Sequence, residues 1–101
     1  MNKTNKIIGV DIDGYIADPL DKKDRHKYWL SKPRKDMIEK VNKLYENRNI
    51  IIYHTGRAPI YYTETFAWLI KNGCKFHALR MAKLNADFFL DDKNANIEDL
   101  L

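Results

Sequence analysis

The chain has 101 residues, 32% of them charged, with eighteen Lys and Arg against fourteen Asp and Glu. That length suits one domain with a single core, 1–101, and is too short for a separate lid domain. The single cysteine, Cys74, excludes an intramolecular disulfide and a thiolate zinc cluster, and apolar runs far shorter than a bilayer span point to a reducing, cytoplasmic setting with no membrane partner.

Met1 to Lys6 leads into a buried strand, Lys6 to Val10, rather than into a signal-peptide core. The strand ends in Asp11-Ile12-Asp13-Gly14, with two aspartates one residue apart. A segment from Asp18 to Leu30 follows, carrying Lys22, Lys23, Arg25, His26, Tyr28 and Trp29, and reads as a flap or an ordinary loop before the first helix. Asp21 to Arg48 holds ten of the basic residues and five of the acidic ones. That excess beside an acidic centre suits an anionic substrate, or simply a solvated helix face.

Pro33 stands in the expected first turn of that helix, with Ser31 as its N-cap and Met37, Ile38, Val41, Leu44 and Tyr45 at helical spacing. Ile50 to Tyr53 reads as a second buried strand. It runs into His54-Thr55-Gly56-Arg57-Ala58-Pro59 and a helix with Tyr62, Phe66, Leu69 and Ile70 on one side, closed by Gly73 as C-cap. Lys75 to Leu79 reads as a third strand and Phe88 to Leu90 as a fourth, ending in Asp91-Asp92. The tail from Asn94 has room for one short helix. Strand and helix in alternation predict a three-layer α/β fold around a parallel sheet.

An open parallel sheet binds ligands outside the carboxyl ends of its strands, so Asp11, Asp13, Asp91 and Asp92 are expected to converge there. Clustered carboxylates repel unless a cation neutralises them, and all-oxygen ligands favour a hard ion such as Mg2+. One member of Asp11-x-Asp13 can attack phosphorus in line while the other protonates the leaving oxygen and later activates water. Gly14 would let backbone N–H groups approach the phosphoryl oxygens. Thr55, Gly56 and Arg57 either hold a phosphoryl oxygen at a helix N-terminus or, for Thr55, simply cap it. Arg57 suits a substrate anion or a sheet-edge carboxylate. Lys83, ahead of the fourth strand, could pair with Asp11 and a phosphoryl oxygen. His26, His54 and His77 lack a metal-ligand spacing, and His54 is expected to be structural or to support the site from behind.

These four pieces, strand-Asp11-x-Asp13, strand-Thr55-Gly56-Arg57, Lys83 and strand-Asp91-Asp92, resemble in order the four motifs of the haloacid dehalogenase (HAD) superfamily. The resemblance covers nearly the whole chain and is closest to the minimal, capless phosphatase branch, which includes small proteins of capsular-polysaccharide or sugar-phosphate metabolism. It implies a HAD-like, Rossmann-like fold. It also implies a magnesium-dependent phosphomonoesterase acting on a small soluble phosphate, such as a sugar phosphate, through an aspartyl-phosphate. Asp11 would be the nucleophile, Asp13 the general acid/base, Thr55 the phosphate-holding hydroxyl and Lys83 the charge stabiliser. Asp91 would ligate the metal directly, Asp92 would hold it through water, and the Asp13 carbonyl would complete the protein ligands.

Two positions depart from the family pattern. Tyr15 replaces the usual Thr or Val two residues after the second aspartate, where a phenol would crowd the phosphate pocket or reposition Asp13. Ala82-Lys83-Leu84 replaces Gly-Lys-Pro, so the lysine loses two backbone constraints. A nucleotide 5′-phosphatase, with Tyr15, Tyr28 or Trp29 stacking on a base, and a phosphate-binding or regulatory module without turnover are the alternatives. Nucleic-acid end processing follows from the basic 21–48 segment alone, and a nucleic acid is not the expected partner. Capless relatives often cover their open site by assembling, so the resemblance also implies a homo-oligomer.

Overall fold

A computed structural model of the chain describes residues 4–24, 26–81, 86–92, 94 and 96–101. Runs of β-branched residues too short for helices form the two central strands, β1 (Ile7–Asp11) and β2 (Ile50–His54). Between them lies α1 (Lys35–Glu46), and after β2 come α2 (Tyr62–Lys71), β3 (Ala78–Arg80) and β4 (Phe88–Leu90). All pairings are parallel, in the order β3-β2-β1-β4. This is an α/β fold of the Rossmann-like, three-layer class, as the alternation of periods predicts.

Register explains the core. Val10 pairs with Tyr53 and Leu90, and Tyr53 with Leu79, so these four side chains form one row on the same sheet face. All four are buried, in one cluster with Ile38, Val41 and Leu44 of α1 and Trp68 and Leu69 of α2. Asn42 of α1 ties that helix to the chain just after α2, its side chain donating to the Gly73 carbonyl and accepting from the Lys75 N–H. Burying each large apolar side chain there contributes about 1.5–3 kcal/mol.

Several sequence expectations shift. Helix α1 starts at Lys35, not at Pro33, and Ser31 does not cap it. The segment 32–34 is instead recruited by the chain after β1: Asp18 N–H bonds the Lys32 carbonyl, Arg34 N–H bonds the Ile16 carbonyl, and Ala17 bridges Pro33 antiparallel. That ladder clasps the base of the excursion between residues 18 and 32. Ser31 is buried, and its carbonyl accepts from Trp68 Nε1 at 2.9 Å.

On α2 the buried positions are Thr65, Trp68 and Leu69. Tyr62, Phe66 and Ile70 face outward, and Phe66 meets Phe76 edge-on at 5.5 Å. The third strand begins at Ala78, because the Cys74 and Lys75 N–H groups are spent on Leu69 and Asn42 before pairing starts. Gly73, with φ of 73°, follows the α2 terminus in the left-handed conformation expected of a helix stop. The tail forms one 3-10 turn, Ile97–Asp99, which the Asn96 side chain caps through Glu98 N–H.

The chain steps from β1 outward to β2 and β3, then returns to the other flank of β1 as β4. Its direction therefore reverses at β1 and β4, and the crevice beyond their carboxyl ends is where such a sheet accepts ligands.

Candidate active site

Asp11 is the last residue of β1, half-buried, in register with His54 at the end of β2. Burial raises the Asp11 carboxyl above its ordinary range. The Ile12 N–H, donating at 2.9 Å, and His54 pull it back, while the Asp13 and Asp91 carboxylates push it up further. Three carboxylates from both ends of the sequence thus share one electrostatic neighbourhood.

Asp13 lies beyond the strand end and is held from below. Arg57 Nε donates to Asp13 Oδ2 at 2.9 Å and Nη2 to Oδ1 at 2.6 Å, a bidentate ion pair. The guanidinium also donates from Nη1 to Thr65 Oγ1 at 3.0 Å, and the Tyr28 ring covers its face at 3.9 Å. With its side chain only 2% exposed, Arg57 takes the carboxylate-locking role and is not offered to a substrate anion. The Asp13 side chain remains 33% exposed, open on one side.

Thr55 is buried directly after β2. Its hydroxyl accepts the Arg57 N–H at 3.1 Å and lies 3.4 Å from Asp13 Oδ2. It does not cap a helix: α2 begins only at Tyr62, behind a 3-10 turn at Pro59–Tyr61, so the expected helix N-terminus is not at Thr55. Gly56 is exposed and lines, with Asp13, Pro19, Leu20, Tyr28 and Arg57, a cleft of about 290 Å³. The base of the 18–30 excursion therefore forms one wall of the space over Asp13.

Two phosphate-binding expectations fail. The Gly14 N–H donates to the Ala17 carbonyl at 2.8 Å and the Tyr15 N–H to Ile12, so the turn, with Gly14 at φ of 83°, spends these donors on itself. The Tyr15 side chain is 6% exposed and packs in the core, with its hydroxyl enclosed, so it neither enters the cleft over Asp13 nor displaces that residue.

Asp91 follows β4, and both its oxygens accept from Asn94, at 2.8 Å from the main chain and 2.7 Å from the side chain. Asp92 is exposed. Lys83 lies outside the described residues, as do Arg25 and Lys93. Among the described residues, no three His, Cys, Asp or Glu side chains are arranged to hold a metal ion. Asp13 is turned to Arg57 and Asp91 to Asn94. Magnesium, however, is commonly held by one or two carboxylates with carbonyls, waters and substrate oxygens. Asp11, Asp91 and the Asp13 carbonyl would offer oxygens of that kind, and the repulsion at half-buried Asp11 is what a divalent cation would relieve, so the donor types fit the ion.

Sequence reasoning missed three contributors. Thr65 is a polar residue at a buried helical position, a signal readable as a partner for something charged. Arg34 donates to the Gly14 carbonyl at 2.6 Å and to Asp18 at 2.7 Å, fixing the turn that carries Asp13. Asn94, which holds Asp91, gives no signal beyond its spacing.

No protein-family model matches the chain, and no curated protein matches it. Among solved structures it is similar to a conserved protein from Bacteroides thetaiotaomicron, with a TM-score of 0.71 and 21% identity over 96% of this chain and 87% of that one. The likeness is one of fold. Among the described residues no helix is long and apolar enough to cross a membrane.

Proposed function

We propose that the chain is a magnesium-dependent phosphomonoesterase of the HAD type, acting on a small soluble phosphate such as a sugar phosphate. The observation that carries this is that Asp13 and Asp91 lie close enough to Asp11, at the reversal point of the sheet, for their charges to act on its half-buried carboxyl. An Asp11 oxygen attacks phosphorus and forms an acyl-phosphate bond as the phosphorus–oxygen bond to the substrate alcohol breaks. Asp13 gives the departing oxygen its proton, then takes one from a water whose oxygen attacks the same phosphorus, releasing phosphate and restoring Asp11. Magnesium, when bound by Asp11, Asp91 and the Asp13 carbonyl, with Asp92 acting through water, supplies charge neutralisation at the phosphoryl oxygens. Lys83 is assigned the same electrostatic task, and Thr55 the orientation of the Asp13 and Arg57 pair.

A sugar phosphate is favoured over a nucleotide because, of the aromatic side chains that would stack on a base, only Tyr28 lines the cleft over Asp13, and one of its faces is already covered. Tyr15 is in the core, one face of Tyr28 is covered by Arg57, and Trp29 lines a groove with Glu64, Trp68 and Lys71. A small phosphorylated metabolite, a cytoplasmic setting and a homo-oligomer that covers the open cleft belong to the same proposal. The test is release of phosphate from an aryl phosphate and a metabolite panel, with magnesium and after chelation. Magnesium-dependent turnover that Asp11→Asn abolishes is expected, and a folded, magnesium-bound chain that hydrolyses nothing on the panel refutes it. One observation favours phosphate binding without turnover, namely that both Asp13 oxygens are already held by Arg57. Phosphate-ligand binding in calorimetry with no release in that same assay would establish this second role.

A further inference from the structure

The turn after β1 and the loop after β4 enclose a second cleft, of about 390 Å³, whose lining includes Gly14, Tyr15, Arg34, Asp91, Asp92 and Asn94. Unlike Tyr53, the other core tyrosine with an unbonded hydroxyl, Tyr15 also lines this cleft. Its ring is packed among apolar neighbours, yet its hydroxyl is enclosed without a hydrogen-bond partner. Buried hydroxyls in native folds are almost always bonded, so a hydroxyl left without a partner among the described residues is a donor available to a ligand or to a group that holds one.

The charged groups around that hydroxyl narrow the choice. Glu98 and Asp91 are the acidic side chains whose charge acts on that hydroxyl. Glu98 is committed to Lys40 at 2.6 Å on the surface. Asp91 spends both oxygens on its own turn, through Asn94. If Asp91 is to ligate magnesium, as the proposed function requires, its carboxylate must turn from Asn94 toward Asp11. A metal-bound carboxylate is normally steadied by a donor on its outer side. Phenylalanine would fill the same volume without supplying that donor.

We infer that Tyr15 is a positioning residue for the metal site, its hydroxyl donating to the Asp91 carboxylate when that group turns to hold magnesium. The aromatic side chain at this position, an apparent departure from a phosphatase pattern, then becomes part of this chain's own way of setting its metal ligand. The inference rests on the magnesium assignment made above.

The experiment compares the full wild-type chain with Tyr15→Phe by calorimetric titration with magnesium chloride and by thermal unfolding with and without the ion. Magnesium binding by the wild type is expected, with affinity roughly tenfold weaker in Tyr15→Phe, as is typical when the outer partner of a ligand is lost. The metal-free variant is expected to unfold at the same temperature as wild type or higher, since an unbonded hydroxyl has been removed. Equal magnesium affinity in the two proteins overturns the inference and leaves the magnesium assignment standing. A lower metal-free unfolding temperature for Tyr15→Phe also overturns it, because the hydroxyl would then already have a partner. A wild-type chain that takes up no magnesium overturns both the assignment and the inference.

Discussion

The ion pair between Arg57 and Asp13 gives the sharpest test of how this site is held. Arg57→Met keeps the length of the side chain but removes two charge-assisted hydrogen bonds to Asp13 and one to Thr65. Fully buried, such a loss would cost about 3–5 kcal/mol. Asp13 is a third exposed, so water can replace part of what Arg57 gave it, and about 2–3 kcal/mol is expected. Asp13→Asn should cost more, because it leaves the guanidinium, with almost no exposure, short of its counter-charge. The two changes should therefore couple, with the double variant more stable than the sum of the single effects predicts by about 1.5 kcal/mol or more. Urea unfolding followed by far-ultraviolet circular dichroism measures all four proteins, and a 2 kcal/mol loss corresponds to a fall of roughly 8–16 °C in Tm. Arg57→Lys should restore little, since one ammonium cannot bridge both oxygens and reach Thr65. Additive effects within about 0.5 kcal/mol would refute the idea that the two side chains act as a unit.

Asp11→Asn should stabilise the metal-free fold at neutral pH. Burial raises the folded-state pKa of Asp11, so the fold prefers the neutral acid. The stability associated with that acid is complete below the unfolded-state pKa and is lost as pH rises through the folded-state value. The advantage of the amide should thus be present at pH 7, shrink as pH falls through the raised folded-state value, and vanish at the ordinary carboxylate value, and a difference in Tm that is flat from pH 7 to pH 4 contradicts this. Trp68→Phe should cost about 1–2 kcal/mol through the lost bond to the Ser31 carbonyl and the lost ring volume. It should also speed tryptic cleavage in the Lys-rich 18–32 segment, and an unchanged cleavage rate would separate that segment from α2.

The strand cores and the acidic edge were legible because they depend on local pattern: Ile7 to Val10 and Ile50 to Tyr53 are too apolar and too short for anything but buried strands, and parallel pairing delivers their ends to one edge. The helix starts were less legible. Ser31 and Pro33 carry cap and first-turn signals, yet Pro33 is recruited into the ladder with Ile16 to Asp18, across fourteen to eighteen residues, and Ser31 into a bond with Trp68, partnerships that no periodicity reveals. On α2, Tyr62, Phe66 and Ile70 repeat as regularly as the buried residues do. Size and period alone do not tell the inner stripe from the outer one, and only packing on the Val10 row puts Trp68 and Leu69 inside. At the site, Asp11, Asp13, Thr55 and Asp91 are drawn to one edge as their spacing suggested. Arg57 had two equal roles on paper, and it is Thr65, eight residues on and one helix away, that fixes its guanidinium beneath Asp13. Tyr15 was misread because a position in a loop motif says nothing about which way a ring turns.

The clasp between residues 16–18 and 32–34 has a consequence for how such a chain could diversify. Because the two ends of the excursion are already pinned together beside the sheet, what lies between them can be exchanged without moving β1 or the start of α1, provided an aromatic ring is kept where Tyr28 covers Arg57. Doubling the length of the intervening loop would add only about 0.6 kcal/mol of closure entropy. New walls for the cleft over Asp13 can therefore be grafted at one surface seam, so that selectivity is free to drift while the chemistry of the edge stays fixed.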